Sequence, residues 1–223
     1  MHQKRIEMPK SILQLGSKVS LFLKRGSVLD FQHENGAIVN AANEFCLGGG
    51  GVDGAISEAG GDPLYQARCA LPIVKRTISN DPIRCPTGQA KLTGPFQLSP
   101  VGSSSGYTLK VPYVIHAVGP DYNLCSSVEK GDSLLRSAYM ECLERSKEAK
   151  IQAVAFSLLS AGVFRGPKSI REVLEIGLST IINFSGYDEL EEIHLYAFTS
   201  SEMKTLLDIA KDLGLKENFS TAD

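Results

Sequence analysis

One short stretch of the chain, Ala37–Ile56 (AIVNAANEFCLGGGGVDGAI), gathers Asn40, Asn43, four consecutive glycines Gly48–Gly51 and the carboxylate of Asp53. A run of glycines costs backbone entropy on folding and leaves its main-chain N–H groups bare. Such backbone suits a ligand that lies directly on the chain, because no side chain stands between them. A helix opening near Val52 would add aligned donors and the positive end of a helix dipole, which together favour phosphate. The chemistry this spacing points to is a phosphate-binding loop with one carboxylate, Asp53, at its edge. Plain structural roles are also open: Asp53 can complement the dipole alone, and Asn43 can close an Asx-turn.

A second small loop, Ser160–Gly166 (SAGVFRG), follows the most apolar segment of the chain, Ile151–Leu159. Strands predicted over Lys18–Lys24, Ala37–Val39, Gln89–Thr93, Lys110–Val118, Ile151–Leu159 and Ile193–Phe198 alternate with helical patterns. The helices are predicted from Val52 towards Gly60, again from Asp62-Pro63, over Gly131–Lys150, from Pro167 to Ile182, and over Glu202–Leu213. Ser200 or Ser201 caps the last, and Gly214 stops it. Alternation of this kind predicts a mostly parallel sheet covered on both faces, with ligands beyond the carboxyl ends of its strands. Both glycine-bearing loops leave such strand ends, and Phe198 closes a third. They can therefore wall one cleft.

Composition bounds the rest. The 223 residues suffice for one sizeable domain, expected over 17–214 between a leader, 1–16, and a tail, 215–223. Gln97–Tyr107 reads as a surface insertion, and Thr77–Gly94 as rich in loops. A net charge of −2 gives no electrostatic footprint for nucleic acid or an anionic membrane. Lys75-Arg76 and Lys147–Lys150 read as solvated charge. Five cysteines without a C-x-x-C pair argue against disulfides and zinc, and for a reducing cytosolic or nuclear setting. No apolar run has the length of a membrane span. No metal and no cofactor is expected, and the chain is expected to be a monomer. His116 and His194, each inside a strand, read as core residues, and Cys46 as a buried thiol.

The blocks NAAN-x4-GGGGVDGAI, CPTG-x-AK-x-T, YVIHAVGP and SAGVFRG occur in that order over Leu21–Leu213, and together they resemble the macrodomain family. The resemblance implies a three-layer α/β/α sandwich with a central mixed, mostly parallel sheet and a cleft for ADP-ribose or mono-ADP-ribosylated proteins. It carries roles onto particular residues. Asn43 would hydrogen-bond the distal ribose, with Asn40 as a further substrate contact. Asp53 would position or activate a water there. Gly49, Gly50, Gly51 and Val52 would pass over that ribose and its phosphate. Ser160, Ala161, Gly162, Val163, Phe164 and Arg165 would wrap the diphosphate, with Phe164 beside the distal ribose. Phe198 would stack on adenine, near Ser27 and Val28.

This chain departs from the family pattern at three places. Where members carry G-D-[IV]-T, it reads Gly26-Ser27-Val28-Leu29, so a carboxylate for the adenine amino group is replaced by a hydroxyl, which predicts weaker or less adenine-selective binding. Asp30 could substitute only if the loop is rearranged. Where active hydrolases read D-G-A-I-H, it has Ser57. Arg165 stands where glycine is common, able to reach a phosphate or to point into water. The resemblance leaves two functions open: a hydrolase that removes mono-ADP-ribose from acidic side chains, or deacetylates O-acetyl-ADP-ribose, and a reader that binds without cleaving.

Overall fold

The computed structural model describes residues 11–15, 19–97 and 108–215. Nine strands and four α-helices follow one another along the described chain. They are β1 Ser11–Leu15, β2 Val19–Arg25, β3 Gly36–Ala41, α1 Gly51–Cys69, β4 Lys75–Arg76, β5 Pro82–Ile83, β6 Ala90–Thr93, β7 Tyr113–Ala117, α2 Val128–Glu148, β8 Ala153–Phe156, α3 Ile170–Ile182, β9 Glu192–Ala197 and α4 Ser200–Asp212. Seven strands form the central sheet in the order β1-β2-β9-β8-β3-β7-β6, while β4 and β5 make a separate hairpin. The inner pairs β2/β9, β9/β8, β8/β3 and β3/β7 are parallel; the edge pairs β1/β2 and β6/β7 are antiparallel. The sheet is mixed and mostly parallel.

Strand side chains alternate between faces, so β3 serves two cores at once. Ala37 and Val39 join Leu21, Leu23, Phe156, Ile193 and Leu195 against α2, α3 and α4. Ile38 turns the other way and joins Val114 and Ala155 against Ile56 and Leu64 of α1. Helices thus cover both faces. Apolar residues in the middle strands are buried on either side, which is why those strands read as continuous apolar runs.

Several boundaries differ from the sequence expectation. Ser11–Leu15, within the stretch expected as leader, pairs with β2 along its whole length and extends the sheet edge. α3 begins at Ile170 rather than Pro167, because Ser169 takes the N-cap and forms a capping box with Glu172. α2 begins three residues earlier than Gly131, where the Ser127 side chain accepts from the Lys130 N–H. Thr199, not Ser200 or Ser201, caps α4. Of the β4–β5 hairpin, β5 lies inside the stretch expected as loop, Thr77–Gly94, and β4 just ahead of it. The insertion Gln97–Tyr107 and the C-terminal tail fall mostly or wholly outside the described residues.

The predicted restart at Asp62-Pro63 is present as a break inside α1. Gly61 adopts φ 53° and ψ −154°, a conformation open to glycine. The helix therefore runs in two segments with different directions.

Candidate functional site

The carboxyl ends of β2, β3, β8 and β9 open onto one cleft with two adjoining recesses of about 420 and 410 Å³. The recesses share Gly51, Val52, Leu158, Ala161 and Gly162, so the two glycine-bearing loops form a common wall between them. One recess is lined by Asn43, Gly49, Gly50, Asp53, Ser160, Val163 and Phe164. The other is lined by Gly26, Ser27, Val28, Tyr196, Phe198 and Glu202. Of the residues expected from the sequence, all line the cleft except Asn40 and Arg165.

Asn40 is fully buried beneath the first recess and donates from Nδ2 to Asp53 Oδ1 at 2.7 Å. The same Nδ2 approaches His116 Nδ1 at 3.1 Å. An amide nitrogen only donates, so His116 Nδ1 accepts and its Nε2 carries the proton. Nε2 then donates to Thr93 Oγ1 at 3.0 Å, and that hydroxyl donates to the Val114 carbonyl at 3.2 Å. Burial, then the nearby Arg68 charge, hold the His116 pKa well below its ordinary value, which agrees with a neutral ring. His116 is a core residue, as the sequence suggested, yet it backs the site through Asn40.

Asp53 is 2% exposed. Besides Asn40, its Oδ1 accepts from Arg68 Nη2 at 2.8 Å, a buried ion pair. Its Oδ2 has no hydrogen-bond partner in the protein. That oxygen lies towards Gly49: a Cβ built there would stand 3.0 Å from Oδ2 and 3.3 Å from Asn43 Nδ2. Glycine at 49 therefore leaves space at the one place where the carboxylate and the Asn43 amide face the same loop. Asn43 also makes the Asx-turn that was its plain alternative. Its Oδ1 accepts from Phe45 N at 3.1 Å and Cys46 N at 3.3 Å, and its Nδ2 donates to the Gly48 carbonyl at 2.8 Å.

The second loop is tied down from below. The Ser160 hydroxyl donates to the Pro120 carbonyl at 2.7 Å, and Tyr122 N donates to the Phe164 carbonyl at 2.8 Å. Lys168 pairs with Asp132 at 2.7 Å and lies over the Tyr122 ring, 5.2 Å from its centroid. Arg165 folds back to donate to the Lys168 carbonyl at 3.3 Å, which removes it from the cleft wall.

At the other recess Phe198 is 76% exposed and lines the wall, so it is not a core aromatic. Ser27 is spent on local structure. Its hydroxyl accepts from Leu29 N, and the Asp30 carboxylate accepts from Ser27 N, each at 3.2 Å. Asp30 is thus held in a capping box of the 310 turn Val28–Asp30 and does not line the recess. The only acidic residue among the lining residues there is Glu202. Its Oε2 accepts from Thr199 N at 2.7 Å.

Sequence reasoning missed Arg68 and Glu202. Glu202 carried a signal, as the third residue of a capped helix after the last strand. Arg68 carried none, because its role depends on a contact across a helix break. Among the described residues no His, Cys, Asp or Glu cluster could hold a metal ion, and no helix is long and apolar enough to cross a membrane.

A three-layer sandwich with a phosphate-suited cleft beyond parallel strand ends, walled by two glycine-bearing loops, defines a class of nucleotide-binding α/β domain. Residues 39–174 match the sequence model of the Macro domain family, and the chain belongs to that family. It is 37% identical over 172 residues to a macro domain-containing protein of Methanosarcina mazei, covering 76% of this chain and 78% of that one. It is 39% identical over 165 residues to the ADP-ribose glycohydrolase MACROD1 of Bos taurus, covering 73% of this chain but only 42% of that protein. Among solved structures, the Oceanobacillus iheyensis macrodomain with ADP superposes with a TM-score of 0.73 at 29% identity, covering 92% of this chain and 96% of that one.

Proposed function

We propose that this macrodomain binds ADP-ribose along the cleft and hydrolyses mono-ADP-ribose esters from acidic side chains of modified proteins. O-acetyl-ADP-ribose, an ester on the same ribose, is the second substrate. The nucleobase lies against Phe198, the diphosphate on the main-chain N–H groups of Gly49–Val52 and Ser160–Phe164, and the distal ribose between Asn43, Phe164 and Asp53. The observation that carries this assignment is the Asp53 carboxylate itself. One oxygen is fixed by two donors, and the other is unpartnered beside Gly49 and Asn43.

An unpartnered carboxylate oxygen in that place can hold a water and take its proton as the water attacks the anomeric carbon of the distal ribose. The departing group is a carboxylate, which leaves readily from an oxocarbenium-like centre, so no strong general acid is demanded. Ser57 in place of a histidine is compatible with this chemistry.

A reader that binds without cleaving is the second assignment, and one observation favours it. Asp53 is almost wholly screened from solvent and already paired with a guanidinium, an arrangement that serves equally as an internal strut. Incubation with a mono-ADP-ribosylated protein separates the two. Wild type is expected to release ADP-ribose, and Asp53→Asn and Asp53→Ala to lose release while retaining ADP-ribose binding. Loss of the Asp53 charge leaves Arg68 buried without its partner, at a stability cost of roughly 3–5 kcal/mol, so the melting temperature of each variant is read alongside. Binding by wild type without release identifies a reader, and failure to bind ADP-ribose overturns both.

A further inference from the structure

We propose that Arg68 is the positioning residue of this site: it sets the plane of the Asp53 carboxylate and thereby decides which oxygen is left unpartnered beside Gly49. The proposal rests on the assignment of Asp53 to the reacting centre.

Arg68 is 1% exposed. A guanidinium so deeply buried is tolerated only where its donors are matched. All three of its nitrogens are engaged: Nε with the Cys46 carbonyl, Nη1 with Ser57 Oγ at 2.8 Å, and Nη2 with Asp53 Oδ1 at 2.8 Å. The Ser57 hydroxyl that accepts from Arg68 donates in turn to the Asp53 carbonyl at 2.7 Å. One planar fork therefore grips the first turns of α1 at two residues and the loop ahead of the glycine run at a third. Asn40 Nδ2 supplies the second donor on Asp53 Oδ1, from the opposite element, β3. Two donors on one oxygen leave the carboxylate no free rotation, and Oδ2 is held towards Gly49.

The contact cannot be local. Asp53 and Arg68 are 15 residues apart in sequence, and that length of unbroken helix spans about 22 Å, well beyond the reach of an arginine. The break at Gly61 turns the second half of α1 so that Arg68 comes back over the first turns. Ser57 is matched to this return. A large or cationic side chain at 57 would meet the guanidinium where the serine hydroxyl now accepts from it.

Lysine retains the charge but has one nitrogen, so it cannot serve three acceptors set around a planar fork. Arg68→Lys is therefore the informative variant. Release of ADP-ribose from a mono-ADP-ribosylated protein is expected to fall by about 100-fold, with the ADP-ribose Kd little changed. Arg68→Ala is expected to recover part of its activity when guanidinium or ethylguanidinium is added. Release by Arg68→Lys within about twofold of wild type, or a Kd that weakens in parallel with the rate, overturns the proposal. Where either variant is too unstable to assay, Arg68→Gln, which keeps two donor positions without the charge, is measured in the same way.

A crystal structure of Arg68→Lys tests the positioning without any turnover. The Asp53 carboxylate is expected to rotate off its wild-type plane; an unmoved carboxylate overturns the proposal. A wild type that binds ADP-ribose without releasing it instead refutes the hydrolase assignment, and the carboxylate orientation still decides the role of Arg68.

Discussion

The two ends of the cleft are built in opposite ways. Around Asp53 the fixed groups are cross-linked: buried Asn40, His116, Thr93 and Arg68 form a continuous hydrogen-bonded set with it, which half-buried Ser57 closes at its rim. Around Phe198 the walls are mostly apolar, the ring itself is exposed, and the polar groups of Ser27 and Asp30 are consumed by their own turn. The difference fits the two tasks proposed for these ends. A reacting centre needs a carboxylate held to a fraction of an ångström, which a buried network provides. A base needs a flat surface, which one exposed aromatic ring provides.

The comparison breaks most sharply at the loop that both recesses share. A Cβ at Gly50 meets nothing within 4 Å, so Gly50→Ala is expected to fold and bind normally. Gly50→Glu should abolish ADP-ribose binding, because its charge opposes the diphosphate and its bulk fills the cleft. Undiminished affinity in calorimetry would remove the glycine run from the ligand path. At the Phe198 end, Phe198→Ala is expected to weaken ADP-ribose by about 1–3 kcal/mol, the range of base stacking on an aromatic ring. An equal loss for ribose 5-phosphate, which has no base, would show that the ring does not stack on one.

Acid should act on the buried end in particular. The unfolded chain protonates His116 near its ordinary pKa of 6.5, while burial keeps the folded form neutral. The folded pKa is the depressed one, so the contribution is complete above pH 6.5 and declines as the pH falls below it. His194, whose pKa burial and the Lys24 charge push down to about 4, adds a decline of the same sign between its ordinary value and that pH. Each histidine can remove at most about 1.4 kcal/mol per pH unit. Thermal melts from pH 7 to 4 should therefore show a shallower decline for His116→Gln than for wild type; parallel slopes would detach His116 from the acid response.

Glu202→Gln gives the smallest expected effect and refines the account of the Phe198 end. Gln retains an oxygen for the Thr199 cap but loses the charge. If Glu202 replaces the missing carboxylate at Ser27, adenine diphosphoribose should lose about 1 kcal/mol and its guanine counterpart less. No change in either would leave the nucleobase held by apolar walls alone.

Much of this molecule is legible in the chain itself. Periodicity located the inner strands, because a strand buried on both faces must be apolar throughout. The glycine run, Asp53, Asn43 and the second loop were readable because each lies in the loop, or the helix start, that directly follows a strand. Capping residues set the helix starts more finely than proline did: Ser169 outranked Pro167 because a side-chain acceptor satisfies a free N–H and proline only removes one. Asn40 was placed in the right motif but in the wrong role. The β3 pleat turns it inward under the site rather than towards the ligand.

What the sequence determined alone was therefore the inner strands and the helices, the family blocks and most of the residues that line the cleft. The tertiary structure decided what stands behind them. Arg68 reaches Asp53 only because Gly61 breaks the helix, and His116 reaches Asn40 only because β7 lies beside β3 in register. Such contacts join residues far apart in the chain, so no local pattern of residue types records them. The free energy that holds them appears only when the sheet has brought both partners out of water together.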